Sequence, residues 1–315
     1  MKARVVLIPI ILAAGILGSC SIQEMAMDSV ADMLGGSAEG GSAFTRDDDP
    51  ELVGDALPFA IKLYETLLDG SPDHPGLLMA TGQLFVMYSN AYVQTPADML
   101  PEGEYEKQEE MYARAKSLYL RGRDYLFRGI EVNHPGFMDA LETGEVDPVF
   151  AEMTEEDVPY LYWAAAGWFA AIAIDVFDLE MTLRIPKAKA LMDRAYEIDP
   201  DFGNGTIDDF YILFYASMPQ DMGGSAEKAR YHYDRAVELS GETNPSPYLS
   251  LATTLSIADQ DVEEFIGLLT TALAIDVDED PDNRLANVVA QRKARWYLEN
   301  IDRFFLEVPE EWEDF

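Results

Sequence analysis

Basic side chains at regular spacing in an acidic chain are the residues best placed to do chemistry. Lys107, Arg114, Arg121 and Arg128 lie seven apart, which on a helix sets them along one slowly drifting stripe. Tyr125 falls inside that stripe. A second island, Arg292, Lys293 and Arg295, adjoins Trp296 and Tyr297. An arginine lining a cavity or a partner face can grip a carboxylate with two parallel hydrogen bonds. The same arginines could instead pair with acidic neighbours and offset repulsion, and the spacing alone leaves both readings open. Aromatic clusters at Tyr160, Tyr162, Trp163, Trp168 and Phe169, and at Phe210, Tyr211, Phe214 and Tyr215, have the helical spacing of core residues. A minority of them are candidates for the apolar wall of a ligand site. Arg121, Tyr125, Arg128, Trp163, Trp168, Asp209, Tyr211, Arg292 and Arg295 are therefore the candidate ligand- or partner-binding residues.

Other chemistries lack their residues. His74, His134 and His232 are the only histidines, each read as beside a turn or on a helix surface, and none has zinc-ligand spacing. They also give no Ser or Cys nucleophile an adjacent base. Asp208 and Asp209, adjacent on a helix, would point to different faces rather than across a cleft. Asp276 to Asp280 imitates the start of a calcium loop, but Pro281 stands where a glycine turn is needed and Asn287 where a bidentate glutamate belongs. Glycine-rich phosphate loops are absent. The reading is a non-enzyme with no cofactor and no metal.

Charge narrows the partners. Asp and Glu number 58 against 22 Lys and Arg, a formal charge of −36 over 315 residues, which repels nucleic acid and anionic headgroups. Lys2 and Arg4, the apolar run Val5 to Leu17 and small residues after it form a signal peptide over 1–19. Leu17-Gly18-Ser19-Cys20 resembles the bacterial lipobox, so Cys20, the single cysteine, is the expected lipid attachment site. Losing Lys2 and Arg4 takes the charge from −36 to −38. The apolar run is short of the roughly 20 residues a spanning helix needs. Residues 20–48, with Gly35 to Ser42 at their centre, read as a lipid-anchored flexible tether, and 49–315 as a single all-helical domain.

The elements that would position these residues are helices with a repeat signature. Ala188, Met192, Ala195 and Pro200, at spacings of four, three and five, make a second-helix tetratricopeptide pattern. Trp163, Ala166, Gly167 and Ala170 supply the first helix. The pattern recurs at Ala60, Tyr64 and Leu67, at Ala229, Tyr233 and Ala236, and at Phe265, Leu269 and Ala272. Steps of 41 and 36 residues wander from the usual period of about 34. The expected fold is all-α, a tetratricopeptide-like solenoid of about ten or eleven helices, closed or cupped around a pore or cleft. Helices are expected at 51–69, 76–94, 104–132, 155–178, 187–198, 206–217, 224–240, 247–259, 261–275 and 283–307. Gly122 and Gly129 could admit a close neighbouring helix beside the basic stripe.

Longer blocks carry a family resemblance. Leu118 to Phe137, Asp157 to Trp168, Asp199 to Gly203, Asp208 to Phe210, Glu238 to Tyr248 and Leu285 to Trp296 resemble the T component (TatT) associated with tripartite ATP-independent periplasmic, or TRAP, transporters. The resemblance implies a periplasmic, membrane-anchored lipoprotein that associates with the transporter's substrate-binding protein. It also implies a homotrimer with a pore or cleft through each protomer, and ligand transport powered by the membrane subunits. The expected function is to dock that protein and relay a small organic-acid or hydrophobic ligand. The alternative is an envelope-assembly scaffold built from the same repeats, without a ligand.

Overall fold

A computed structural model describes residues 43–309. The expected signal peptide, the expected lipid site Cys20 and most of the expected tether lie outside the described residues. Within them the chain is helical, with no strand. Its principal helices are α1 (Pro50–Gly70), α2 (Pro75–Ser89), α3 (Tyr105–Asn133), α4 (Val158–Ile174), α5 (Ile185–Ile198), α6 (Thr206–Ser217), α7 (Ala226–Ser240), the short α8 (Ser246–Leu251) that a π turn extends, α9 (Val262–Ala274) and α10 (Arg284–Glu299).

Local chemistry sets many of the helix ends. Asp49 accepts from the Leu52 N–H at 3.0 Å ahead of Pro50, and His74 Nδ1 accepts from Leu77 N–H ahead of Pro75. Asp261 caps α9 the same way, through Glu264 N–H at 2.9 Å. Each fills an orphan donor of a first turn. Gly241, at φ 60°, lets the chain leave α7 in the left-handed region that a side chain resists. Thr154 and Asp157 form a capping box before α4, and Asp157 also meets His134 Nε2 at 2.9 Å.

Helices consecutive in sequence pack side by side. The end of α3 lies against the starts of α2 and α4, because Tyr160 packs on Gly129 and its hydroxyl donates to Pro75 O at 2.8 Å. Helix α3 therefore runs antiparallel to both. Glycine permits the approach: a Cβ on Gly122 would stand 2.9 Å from the Gly82 carbonyl oxygen, and one on Gly167 2.8 Å from Val86 Cγ2. Of the positions that carry the expected repeat pattern, Ala188, Met192, Ala195, Ala229, Phe265, Leu269 and Ala272 have no exposed surface, while Tyr64, Leu67 and Tyr233 are half-buried, as an apolar stripe on each helix requires.

Two segments depart from regular helix. Single π turns follow α2 at Asn90–Gln94 and α8 at Ala252–Ser256, and the first leads into a short turn, Thr95–Asp98. Such turns re-aim the side chains around them. The last helix returns to the first. Leu285 of α10 packs with Val53 and Leu57 of α1, Leu285 N–H donates to Thr45 O at 2.9 Å, and Arg292 pairs with Glu51 at 2.7 Å.

Candidate functional site

The basic stripe of α3 lies along α1 and α2. Arg114 reaches the Tyr88 hydroxyl, Arg121 pairs with Glu65 of α1, and Arg128 donates to Pro72 O at 2.7 Å. Arg121 stands over the Phe85 ring and Arg128 over Tyr125, two rings stacked 5.8 Å apart. Arg121, Tyr125 and Arg128 thus share a shallow cleft of about 540 Å³ with Lys62, Glu65 and Asp69. Burial pushes the Glu65 carboxyl up. Hydrogen bonds from Lys62 and Tyr125 and the Arg121 charge outweigh it and hold the group below the usual carboxylate range. The cleft is polar and internally paired.

Trp163 and Trp168 share α4 but not surroundings. Trp168 is buried, edge-on to Phe127 with Arg123 over its face. Trp163, half-buried, packs edge-on to Tyr162. Tyr211 of α6 is buried, donates to Asp193 Oδ1 at 2.7 Å, and stacks on His232 and Tyr215. His232 is a correction to the surface reading: it is 7% exposed and its Nδ1 meets Asp208 Oδ1 at 2.6 Å. The Asp208 carboxylate, fully buried, also accepts from Arg235 Nε. An α6 residue four before Ile212 must face α7, so the histidine opposite it is a structural partner rather than an outer one.

Asp209 points elsewhere, to the start of α8. Ser246 Oγ donates to its Oδ2 at 2.6 Å, whereas its Oδ1 is buried without a hydrogen bond. Burial pushes the carboxyl up, against Ser246, Ser250 and the charge of Lys293. Lys293 on α10 is pushed down by burial and held up by Asp98 and Asp209. Asp98, after the first π turn, accepts from the Tyr112 hydroxyl at 2.9 Å and is itself raised by burial. Tyr297, one helical turn beyond Lys293, is pushed up to about 12 by burial and by Asp98, and burial and Asp209 raise Tyr162.

These groups are only partly buried by solvent contact, yet burial dominates the shifts of all of them. These groups lie at a junction between helices, where packing strips much of their hydration. Six elements contribute to that junction: α3, α4, α6, α8, α10 and the Thr95–Asp98 turn.

Of the residues singled out by sequence, Asp209 belongs to this interior junction. Arg292 and Arg295 do not: both are exposed, and Arg292 ties α10 to Glu51. Lys293 was named in the second basic island but not carried into the candidate list, and Asp98, Ser246 and Ser250 were missed. The signal for Lys293 was available, because it stands three residues after Ala290 and four before Tyr297, on the edge of the apolar stripe of α10 that Arg292 and Arg295 leave. Asp278 of the acidic loop pairs with Arg284 at 2.8 Å. No helix of the described residues is long and apolar enough to cross a membrane.

With this geometry in hand, comparison supplies the lineage: the model of the TRAP transporter T-component family matches residues 46–305. The chain belongs to that family. A protein of Treponema pallidum (strain Nichols), described as uncharacterized, is 34% identical over 302 residues, 91% of this chain and 94% of its own length. Family membership makes the chain a TRAP transporter component, and it covers every principal helix from α1 to α10. The interior junction and the α1–α3 cleft both fall inside the matched span.

Proposed function

We propose that the chain is the lipid-anchored accessory subunit of a TRAP-type transport system, which docks the substrate-binding protein and relays a small ligand between that protein and its own interior. The family match over 46–305 carries the reading. The interior junction supports the relay: ionisable groups from separate helices keep partial solvent contact deep in the fold. A family of transport components and a site without a nucleophile–base pair both favour binding over catalysis.

In this reading residues 1–19 are the export signal, Cys20 carries the lipid, 20–48 form the tether and 49–315 the working domain, in the periplasm. The helices form a tetratricopeptide-like array whose last member closes on its first around a passage, and protomers associate as a homotrimer. Contact between α10 and α1 supports the closure. Arg121, Tyr125 and Arg128 are at a surface cleft, and so are assigned to partner contact rather than to the relayed ligand.

Affinity purification of the lipidated protein from its own envelope in mild detergent, with mass spectrometry of what accompanies it, tests the proposal. A periplasmic substrate-binding protein is the expected companion. Envelope-assembly factors in its absence would replace this reading with the scaffold.

A further inference from the structure

We infer that the outer face of α1 and the α1–α3 cleft form one docking surface, which receives an element of a protein partner that carries apolar side chains beside a carboxylate. The inference rests on the docking reading, which names a partner without its chemistry. Two independent observations define the surface.

The first is an unpartnered apolar stripe. Leu52, Phe59 and Leu63 follow one another on α1 at steps of seven and four, which sets them on one face. They are 59%, 74% and 39% exposed, whereas Val53, Leu57 and Ile61 on the other side of the helix are buried. The core face of α1 is thus already filled, and a row of outward apolar residues on such a helix marks a contact. Thr66, one turn beyond Leu63, lines the α1–α3 cleft, so the stripe runs into it.

The second is the charge there. Lys62, Arg121 and Arg128 line the cleft with Glu65 and Asp69. Three bases against two acids leave one net positive charge, in a chain whose total is −36. Lys62 and Arg121 are paired with Glu65. Arg128 is held differently. It donates to Pro72 O at 2.7 Å and lies over the Tyr125 ring, two neutral groups that fix its position and leave its charge whole. Among the described residues it closes no ion pair with a carboxylate. An exposed guanidinium fixed in place is ready to take a carboxylate. Repulsion from the rest of this acidic surface steers an acidic partner to the cleft. A basic partner is attracted by nearly every other face, and a purely apolar one would cover Arg128 without pairing it.

In the docked state the partner's apolar side chains cover Phe59 and Leu63 and its carboxylate meets Arg128 beside Tyr125. Asp69 repels that carboxylate and sets a ceiling on affinity.

Titration calorimetry of the full chain with the transporter's purified substrate-binding protein tests this. Arg128→Ala and Phe59→Ser should each weaken the complex by about tenfold, the scale of one charge-assisted hydrogen bond or one aromatic anchor. Arg128→Lys should recover part of the loss, and Asp69→Asn should tighten the complex by about threefold. Added salt should weaken the wild-type complex more than the Arg128→Ala complex. All three side chains are exposed, and thermal melts establish that each variant folds. A complex indifferent to Arg128 or to Phe59 would overturn the inference and leave the docking role standing. Tightening by Arg128→Ala with weakening by Asp69→Asn would overturn it in favour of a basic partner. No complex with the wild-type chain would overturn the docking role and the inference together.

Discussion

Gly129 is the position where a single methyl tests the packing most cleanly. A Cβ there would lie 2.4 Å from Tyr160 Cε1 and 2.9 Å from Cδ1. In an open helix interior, replacing glycine by alanine stabilises by about 1 kcal/mol. Here the ring is 7% exposed and its hydroxyl is fixed on Pro75 O. Moving it forfeits a hydrogen bond of about 1 kcal/mol and overpacks a filled interface, at about 1–3 kcal/mol. The helix gain offsets the bond, so Gly129→Ala should destabilise by about 1–3 kcal/mol, lowering Tm by about 2–12 °C for a domain this large. In a Tyr160→Ala background the obstacle is gone, and the same change should stabilise by about 1 kcal/mol. Thermal and urea melts of the four proteins of this cycle would show the reversal of sign as a coupling of about 2 kcal/mol or more. Stabilisation by Gly129→Ala in both backgrounds would refute the packing of α3 against α4 as described.

Ionisation gives opposite pH signatures at two carboxylates. The folded-state pKa of Asp209 lies above its unfolded value of 3.8, so the native protein takes up its proton first and this group's contribution improves as pH falls through the raised value. Asp209→Asn should therefore raise Tm at neutral pH and change it little in acid below about pH 4, where the wild-type carboxyl is protonated. Equal shifts at both pH values would contradict the burial of that charge. Glu65 is held below 4.5, so its contribution is complete above that value and fades as pH falls through the folded pKa. Glu65→Gln should flatten that acid limb of the melting curve. Phe265 has no exposed surface and meets Phe305 at 4.9 Å, and Phe265→Ala should cost about 3–5 kcal/mol by urea denaturation. Lys116 holds Asp175 and Asp178 at 2.9 Å each, and Lys116→Met should speed chymotryptic cleavage at Phe177 and Leu179 while leaving Tm nearly unchanged.

Helix identity was readable because each long helix carries its own stripe and its own stops. The expected 104–132 and 206–217 correspond to Tyr105–Asn133 and Thr206–Ser217. Boundaries failed where polar side chains made tertiary contacts instead of ending a pattern. The expected 155–178 ends at Ile174, because Lys116 draws Asp175 and Asp178 away from the helix. The short helices Phe137–Thr143 and Leu179–Thr182 carry too few turns to display a period. Continuous apolar patterns at 76–94 and 247–259 concealed the two π turns, since one inserted residue barely disturbs a hydrophobic stripe. At the interior junction, Asp209 could be singled out from its sequence neighbourhood. Lys293 was visible as a member of the second basic island, but its coupling to Asp98 was not, because the two are separated by most of the chain and come near each other only in the folded protein. His232 was misplaced for a related reason. Its Tyr-His-Tyr context on an otherwise charged helix looks like an outer face, and only the buried Asp208 on α6 gives it a reason to turn inward.

The central claim, that this chain docks a transporter's substrate-binding protein, is tested most directly by mixing the two purified proteins and following association by sedimentation velocity. The account predicts a saturable complex, weakened when Arg121 or Arg128 at the α1–α3 cleft is replaced by alanine in a protein that still folds. Independent sedimentation of the two proteins at concentrations reached in the envelope would contradict it.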